Sequence, residues 1–339
     1  MINPKAKLSE KIFKEDIEKV PTRNGYGEGL VEAGKKNSRV VALCADLTES
    51  TRVELFKKEF PDRFIEVGVA EQAMATIAAG MANYGKIPFI SSYAVFSPGR
   101  NWEQIRTTIA INNVPVKIAG HHAGVSVGAD GATHQALEDI ALMRVMPNMI
   151  VIVPCDSIEA KKATLEAAFN GKPTYIRFAR EKTPVFTTDE TPFKIGRAEI
   201  FWDSVNRNTQ NAIRNTVAII GCGSLLYECL LAAQELEKSG IGSIVVNNHT
   251  VKPMDEQTIV NVARKTGAVV TVEEHQINGG MGSAVAEVVT RNYLVPMEYV
   301  GMPNHFGESG EPDELLEKWG MKSHHIVDAV KKVLKRKSS

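Results

Sequence analysis

Cysteine is scarce in this 339-residue chain: Cys44, Cys155, Cys222 and Cys229 are the only four, and no two are spaced CxxC. That excludes a disulfide-stapled scaffold and a zinc ribbon, and it fits a reducing cytoplasm. Net charge is missing as well. Forty basic residues balance forty acidic ones, which leaves no electrostatic footprint for nucleic acid or an anionic membrane. The basic residues Lys331, Lys332, Lys335, Arg336 and Lys337 form a short terminal run and read as a solvated helix end. No apolar run reaches the roughly 20 residues of a membrane-spanning helix. The opening Met-Ile-Asn-Pro-Lys is too polar for a secretory signal. Aromatics make up only 6 %, so a core must be built mainly from small aliphatic side chains. No internal repeat is visible.

What the chain has instead is alternation. Strand-like runs at 40–44, 64–69, 86–90, 116–120, 149–153 and 174–178 are interspersed with helix-like runs at 73–81, 102–112, 136–143 and 157–169. A second series starts at 216, with strands at 216–220, 243–246, 268–272 and 296–300 and helices at 225–239, 255–266, 282–292 and 324–335. The pattern predicts an α/β protein of two domains, each a mainly parallel sheet flanked by helices. The expected organisation is a charged lead-in helix over 1–20, a first domain over 21–185, a linker and surface insert over 186–215, and a second domain over 216–339. Pro192 and the polar run Asn206-Arg-Asn-Thr-Gln-Asn211 mark the insert.

Several residues call for more than packing. Glu71 and Gln72 sit where a strand-like run meets an Ala/Gly-rich helix-like run. A carboxylate there would lose hydration and gain proton affinity, which suits a general acid/base. The plainer reading is a first-turn glutamate favoured by the helix dipole. Tyr93, Phe96 and Trp102 cluster after a strand, as a binding wall or as core filling. Residues 121–135 hold His121, His122, His134 and Asp130 among three glycines. Glycines let a backbone approach a ligand, and histidines donate hydrogen bonds or move protons; the spacing lacks a metal-binding pattern. Arg23, Arg100, Arg177 and Arg180 lie at strand or loop ends, where guanidinium forks can hold phosphate or form ordinary salt bridges. Asp46 and Ser50 occupy a polar turn directly after a strand, the end at which open parallel sheets bind ligands. Glycine-rich turns at 221–224 and 278–282 suit either a phosphate at a helix N-terminus or a tight turn.

Six of these segments, in order, carry a family likeness: Thr22-Arg23, Ala45-Asp46-Leu-Thr-Glu-Ser50, Val69-Ala-Glu71-Gln72-Ala-Met74, Ser92-Tyr93-Ala-Val-Phe96, Arg100-Asn-Trp102-Glu-Gln-Ile-Arg106 and Gly128-Ala-Asp130-Gly-Ala-Thr-His134-Gln135. From about residue 20 onward the chain resembles the second half of a transketolase, a pyrimidine-binding domain followed by the C-terminal domain, which matches more loosely. The Gly-Asp-Gly motif by which that family's first domain holds diphosphate and metal is absent. The resemblance therefore implies the C-terminal subunit of a split transketolase. Thiamine diphosphate would have its pyrimidine end here, with no metal on this chain and Mg2+ or Ca2+ on an N-terminal partner subunit. The small-residue helix after Glu71 would be a subunit contact in a dimer or heterotetramer.

On this resemblance Glu71 hydrogen-bonds the pyrimidine N1′, Tyr93 and Phe96 form the pyrimidine pocket, and Asp46 belongs to the cofactor site. His122 and His134 contact substrate and share in catalysis, Asp130 binds a sugar hydroxyl, and Arg23, Ser50 and Arg180 hold the sugar phosphate. The implied reaction moves a two-carbon ketol unit from a ketose phosphate such as xylulose 5-phosphate to an aldose phosphate such as ribose 5-phosphate. Deoxyxylulose-phosphate synthases share the Gly-Ala-Asp-Gly-x-Thr-His-Gln loop, and 2-oxo-acid dehydrogenase β subunits share the domain pair. A non-catalytic assembly subunit is a further alternative, whose mark would be loss of Glu71 or the histidines.

Overall fold

The structure, a computed structural model, describes residues 1–205 and 215–337. Strands buried on both faces need unbroken apolar runs, and these set the two sheets: all residues of Val40–Cys44 and of Thr216–Gly221 are buried. The first sheet has seven strands, in the order Thr250–Lys252, Ile150–Ile152, Thr174–Arg177, Lys117–His121, Ile87–Tyr93, Val40–Cys44 and Phe64–Glu66. The second has five: Met297–Met302, Val269–Gln276, Thr216–Gly221, Gly242–Asn247 and Glu199–Asp203. Every pairing in both is parallel except at one edge of each, Thr250–Lys252 on Ile150–Ile152 and Glu199–Asp203 on Gly242–Asn247. The α/β class and the mainly parallel sheets are as the alternation predicts.

Three expectations need correction. Residues 1–20 form no helix: a single 3-10 turn, Pro4–Ala6, is followed by turns and by the strand Lys19–Pro21, which pairs with Lys182–Pro184. The segment expected as a linker supplies the edge strand Glu199–Asp203, whose Phe201 and Trp202 are buried. Strand Thr250–Lys252 leaves the second domain to complete the first sheet, and one apolar cluster runs from Met74 and Ile118 to Ile220 and Val285. The polar run at 206–211 lies outside the described residues.

The helix Thr22–Lys36 is not anticipated by pattern, since Gly25, Gly27 and Gly29 each disfavour a helix. They are there for close approach: a Cβ on Gly25 would overlap the Ser157 carbonyl of helix Ser157–Phe169. Helix Glu71–Asn83 buries Glu71, Met74, Ala75, Ala78, Ala79 and Ala82, one face at helical spacing. The expected helix 102–112 is a short turn, Trp102–Gln104, continued by a π-helical stretch, Ile105–Ala110. Among the described residues no helix is long and apolar enough to cross a membrane.

Candidate active site

Strands in parallel register finish on a common edge, so Cys44, Tyr93, His121 and Arg177 end together. The segments that follow them carry the candidate residues, on the side where open parallel sheets bind ligands. Glu71 opens its helix beside this edge and is 1 % exposed. A carboxylate so buried needs partners. Ser92 Oγ donates to its Oε1 at 3.3 Å, and Arg100 Nη1 to its Oε2 at 2.6 Å. Asn101 Nδ2 donates to its carbonyl at 3.0 Å. Arg100 is 46 % exposed and its guanidinium lies 4.7 Å over the Phe96 ring, so it bridges the carboxylate and an aromatic wall.

That wall is a set of stacked rings. Tyr93 and Phe96 are 6.0 Å apart and nearly parallel, His122 stacks on Tyr93 at 4.1 Å, and His134 meets Phe96 edge-on at 5.6 Å. His122 has φ of 52°, a left-handed conformation uncommon for a side chain of its size. Arg23 Nη1 donates to His122 Nε2 at 2.7 Å and to the Ser50 carbonyl at 3.1 Å. A guanidinium cannot accept, so the ring proton of His122 sits on Nδ1. That buried Nδ1–H has no partner among the described residues. Burial first, then the charges of Arg23 and Arg180, push the His122 pKa from 6.5 down to about 3. The ring is a neutral hydrogen-bond donor at neutral pH.

The far end of the wall is cationic. Arg23 has its pKa lowered by burial and by the neighbouring charges of Arg52 and Arg180. No carboxylate hydrogen-bonds it among the described residues, and its Nε is buried without a partner. Arg180 lies 3.7 Å from Asp130 and donates to the Val127 carbonyl. Clustered cations with spare donors make an anion site.

The structure thus gathers Glu71, Tyr93, Phe96, His122, His134, Arg23, Ser50, Asp130 and Arg180 around one edge. Asp46, two residues past Cys44 at the same edge, is exposed with φ of 56°, its N–H donates to Glu66 Oε1 at 2.8 Å, and its carboxylate makes no hydrogen bond among the described residues. Arg177 points into the protein, with Nε 2.8 Å from Asp139 Oδ2. Trp102 is a packing residue whose Nε1 donates to the Leu142 carbonyl at 2.9 Å. Sequence reasoning gave no role to Ser92 or Asn101, and it did not pair Arg100 with Glu71. The one available signal was that they fall inside the segments Ser92–Phe96 and Arg100–Arg106 that carry the family likeness. The phosphate reading of the second-domain glycine turns is overturned. Glu273 accepts the N–H groups of Met281 and Gly282 at 2.7 and 2.8 Å, and Glu274 accepts from Ser224 Oγ at 3.2 Å. At 278–282 a carboxylate of the chain takes the N–H groups that an anion would use, and at 221–224 the Gly223 N–H is taken by the Val153 carbonyl at 3.1 Å.

The donor set suits the pyrimidine end of thiamine diphosphate. A pyrimidine nitrogen can share a proton with a carboxylate and its ring presents a flat face for stacking, and Glu71 with Tyr93 and Phe96 matches both. His122 Nδ1 and Arg23 Nε, next to that wall, are buried with no hydrogen-bond partner among the described residues. Among the described residues, three potential metal ligands converge at Glu317, His324 and His325, on the second domain and outside this site.

Residues 18–185 match the transketolase pyrimidine-binding domain, and residues 208–326 match the transketolase C-terminal domain. A putative transketolase C-terminal section of Methanocaldococcus jannaschii is 42 % identical over 93 % of this chain and 96 % of its own length. The 6-deoxy-6-sulfo-D-fructose transketolase subunit SqwH of a Clostridium species is 38 % identical over 96 % of this chain and 98 % of its own. A solved split-gene transketolase, described as an inactive β4 tetramer, is 43 % identical with a TM-score of 0.85, covering 94 % of this chain and 99 % of that one. Mammalian transketolases and transketolase-like proteins are matched over about half of their length. The chain belongs to the transketolase family, and it carries that family's pyrimidine-binding and C-terminal domains as the C-terminal subunit of a split enzyme.

Proposed function

We propose that this chain works with an N-terminal subunit as a thiamine-diphosphate-dependent transketolase. It would transfer a two-carbon ketol unit from xylulose 5-phosphate to ribose 5-phosphate in the cytoplasmic pentose phosphate pathway. One observation carries the reading: a buried carboxylate, Glu71, joins through one aromatic wall to a neutral histidine donor and a cluster of arginines.

Bound thiamine diphosphate supplies the carbanion chemistry. Glu71 holds and returns a proton at the pyrimidine N1′, and its burial keeps water from competing. Arg100 donates to Oε2, and its half-exposed side chain would share or release that oxygen if the pyrimidine were held there. Tyr93 and Phe96 orient the ring. His122 donates through Nδ1–H to a substrate oxygen on which negative charge develops, and His134 is a second donor across the wall. Asp130 receives a sugar hydroxyl. Arg23 and Arg180, with Ser50, bind the terminal phosphate.

The partner subunit would bring the diphosphate and Mg2+ or Ca2+ ligands. Support comes from the split-gene relative, whose β4 tetramer is described as inactive. It also comes from the exposed Ala73, Thr76, Ile77 and Gly80 of helix Glu71–Asn83, a small-residue face suited to a subunit contact. The test is ketol transfer from xylulose 5-phosphate to ribose 5-phosphate with thiamine diphosphate and magnesium, by this chain alone and then with the complementary subunit. Activity in the mixture only is expected; full activity of the isolated chain would sink the two-chain reading.

A second reading follows from the sulfofructose transketolase subunit, which is similar over nearly the whole chain. Arg23 and Arg180 would bind a terminal sulfonate as they would a phosphate. Turnover of 6-deoxy-6-sulfofructose in preference to xylulose 5-phosphate would establish that substrate class.

A further inference from the structure

Among the described residues the second domain contributes none to the site above, yet it closes on the loop that carries three of them. Glu274, in strand Val269–Gln276, is buried. Its Oε1 accepts the backbone N–H of Ser126 at 2.6 Å, and its Oε2 accepts from Ser224 Oγ at 3.2 Å. Ser126 belongs to the turn Val125–Asp130, between His122 and Asp130. The Glu274 backbone carbonyl accepts from Arg177 Nη2 at 2.7 Å, and the same Nη2 donates to the Ala136 carbonyl at 3.2 Å. Ala136 in turn accepts the Gly124 N–H at 2.9 Å. One glutamate therefore ties down both the middle of the loop and the point where its two ends meet.

Two further features show that the contact is built in. Gly124 has φ of 97°, and a Cβ there would overlap the Glu274 carboxylate, so the loop is shaped to receive it. Gln135 Nε2 donates to the Val125 carbonyl at 3.1 Å and to the Glu308 carbonyl of the second domain at 2.8 Å, holding the outer side of the same turn. A buried carboxylate is costly to keep unless its hydrogen bonds are used, and here one goes to the loop backbone at Ser126 while Ser224 Oγ holds the other oxygen.

We propose that Glu274 is a positioning residue: from the second domain it fixes the backbone of the 121–135 loop, and so sets where His122, Asp130 and His134 meet the sugar. The inference rests on the transketolase reading for the sugar and on the geometry alone for the loop. Misplacing catalytic groups by about 1 Å can cost about 100-fold in rate.

The experiment compares the wild-type two-chain complex with Glu274→Ala, Glu274→Asp and Glu274→Gln. Hydrogen exchange is read at residues 122–135, beside kcat, KM and thiamine diphosphate affinity. Glu274→Ala is expected to speed exchange in the loop at least tenfold, leave exchange in the first-sheet strands unchanged, and lower kcat/KM for the ketose by about tenfold or more. Cofactor affinity should stay within about twofold, because Glu71, Tyr93 and Phe96 lie off the loop. Glu274→Gln keeps an acceptor for the Ser126 N–H and should restore exchange and kcat/KM to within about threefold of wild type. Glu274→Asp withdraws the carboxylate by one methylene and carries the test if the alanine variant does not fold. Wild-type exchange in the loop of a folded alanine or aspartate variant overturns the proposal. Absence of ketol transfer in the wild-type complex overturns the substrate reading instead, and the exchange data still decide the role of Glu274.

Discussion

Glycine-rich turns follow strands in both domains, and carboxylates of the second domain reach both, but to different degrees. In the second domain the turns at 221–224 and 278–282 are closed by the chain itself. Glu273 takes the N–H groups of Met281 and Gly282, and Glu274 takes the Ser224 hydroxyl. In the first domain Glu274 takes only the Ser126 N–H of the 121–135 loop, and the Nδ1 of His122 and the Nε of Arg23 are buried with no partner among the described residues. A glycine at a strand end records only that something comes close to the backbone. Whether that is a ligand or a neighbouring carboxylate is decided by what hydrogen-bonding capacity is left over.

Removing one carboxylate from each region should separate the two cases. Glu71→Ala is expected to lower ketol transfer by the two-chain complex by about 100- to 10,000-fold, the usual range for a lost general acid/base, with little loss of thermal stability. A kcat measurement at saturating thiamine diphosphate checks it, and near-normal turnover would remove Glu71 from the mechanism. Glu273→Ala should do the reverse. It leaves two buried N–H groups at the start of helix Met281–Asn292 without acceptors, a cost of about 1–3 kcal/mol each. Chemical denaturation should show that loss, while kcat of the folded fraction stays close to wild type.

The anion-binding contrast predicts a smaller effect. Arg23→Ala removes a charge-assisted donor, an interaction of about 1.5–3 kcal/mol, so KM for a sugar phosphate should rise about tenfold to 100-fold. Acceptors without a phosphate, such as free ribose, should be affected much less. An equal penalty on both would mean that Arg23 acts by holding His122 and the Ser50 carbonyl rather than by binding the phosphate.

How much of this was legible in the chain follows the same line. Val40–Cys44 and Ser157–Phe169 fall where their runs predict, because long apolar runs and helical spacing are local signals. Helix Thr22–Lys36 did not, because its glycines serve a close packing that only the folded chain reveals. The crossing of Thr250–Lys252 into the other domain's sheet likewise has no local mark. The residues that gather at this sheet edge could be named from motifs, but their pairings could not. Arg100 lies 29 positions from Glu71, and Glu274 lies 148 from Ser126. Such contacts are set by topology rather than by spacing along the chain.

The smallest effect tests the neutrality of His122. Its pKa in the folded chain is about 3 against an ordinary 6.5. Above pH 6.5 neither state is protonated and the group contributes nothing to pH dependence. As pH falls from about 6.5 toward 3, the unfolded chain takes up a proton that the folded chain refuses, so stability falls with falling pH in that window. His249, held at about 3 by burial against Phe193 in another part of the fold, acts with the same sign. His122→Gln and His249→Gln should each flatten the acid side of the stability curve, by at most about 1.4 kcal/mol per pH unit. They should differ in function, because only His122 stands in the aromatic wall with Tyr93. Its donor role requires no change of charge, so ketol transfer should show no acid-side titration near pH 6.5 that depends on this residue. Such a titration, present in the wild type and lost in His122→Gln, would mean that the ring ionises in the working enzyme, and it would move His122 from the donors to the proton-transfer groups.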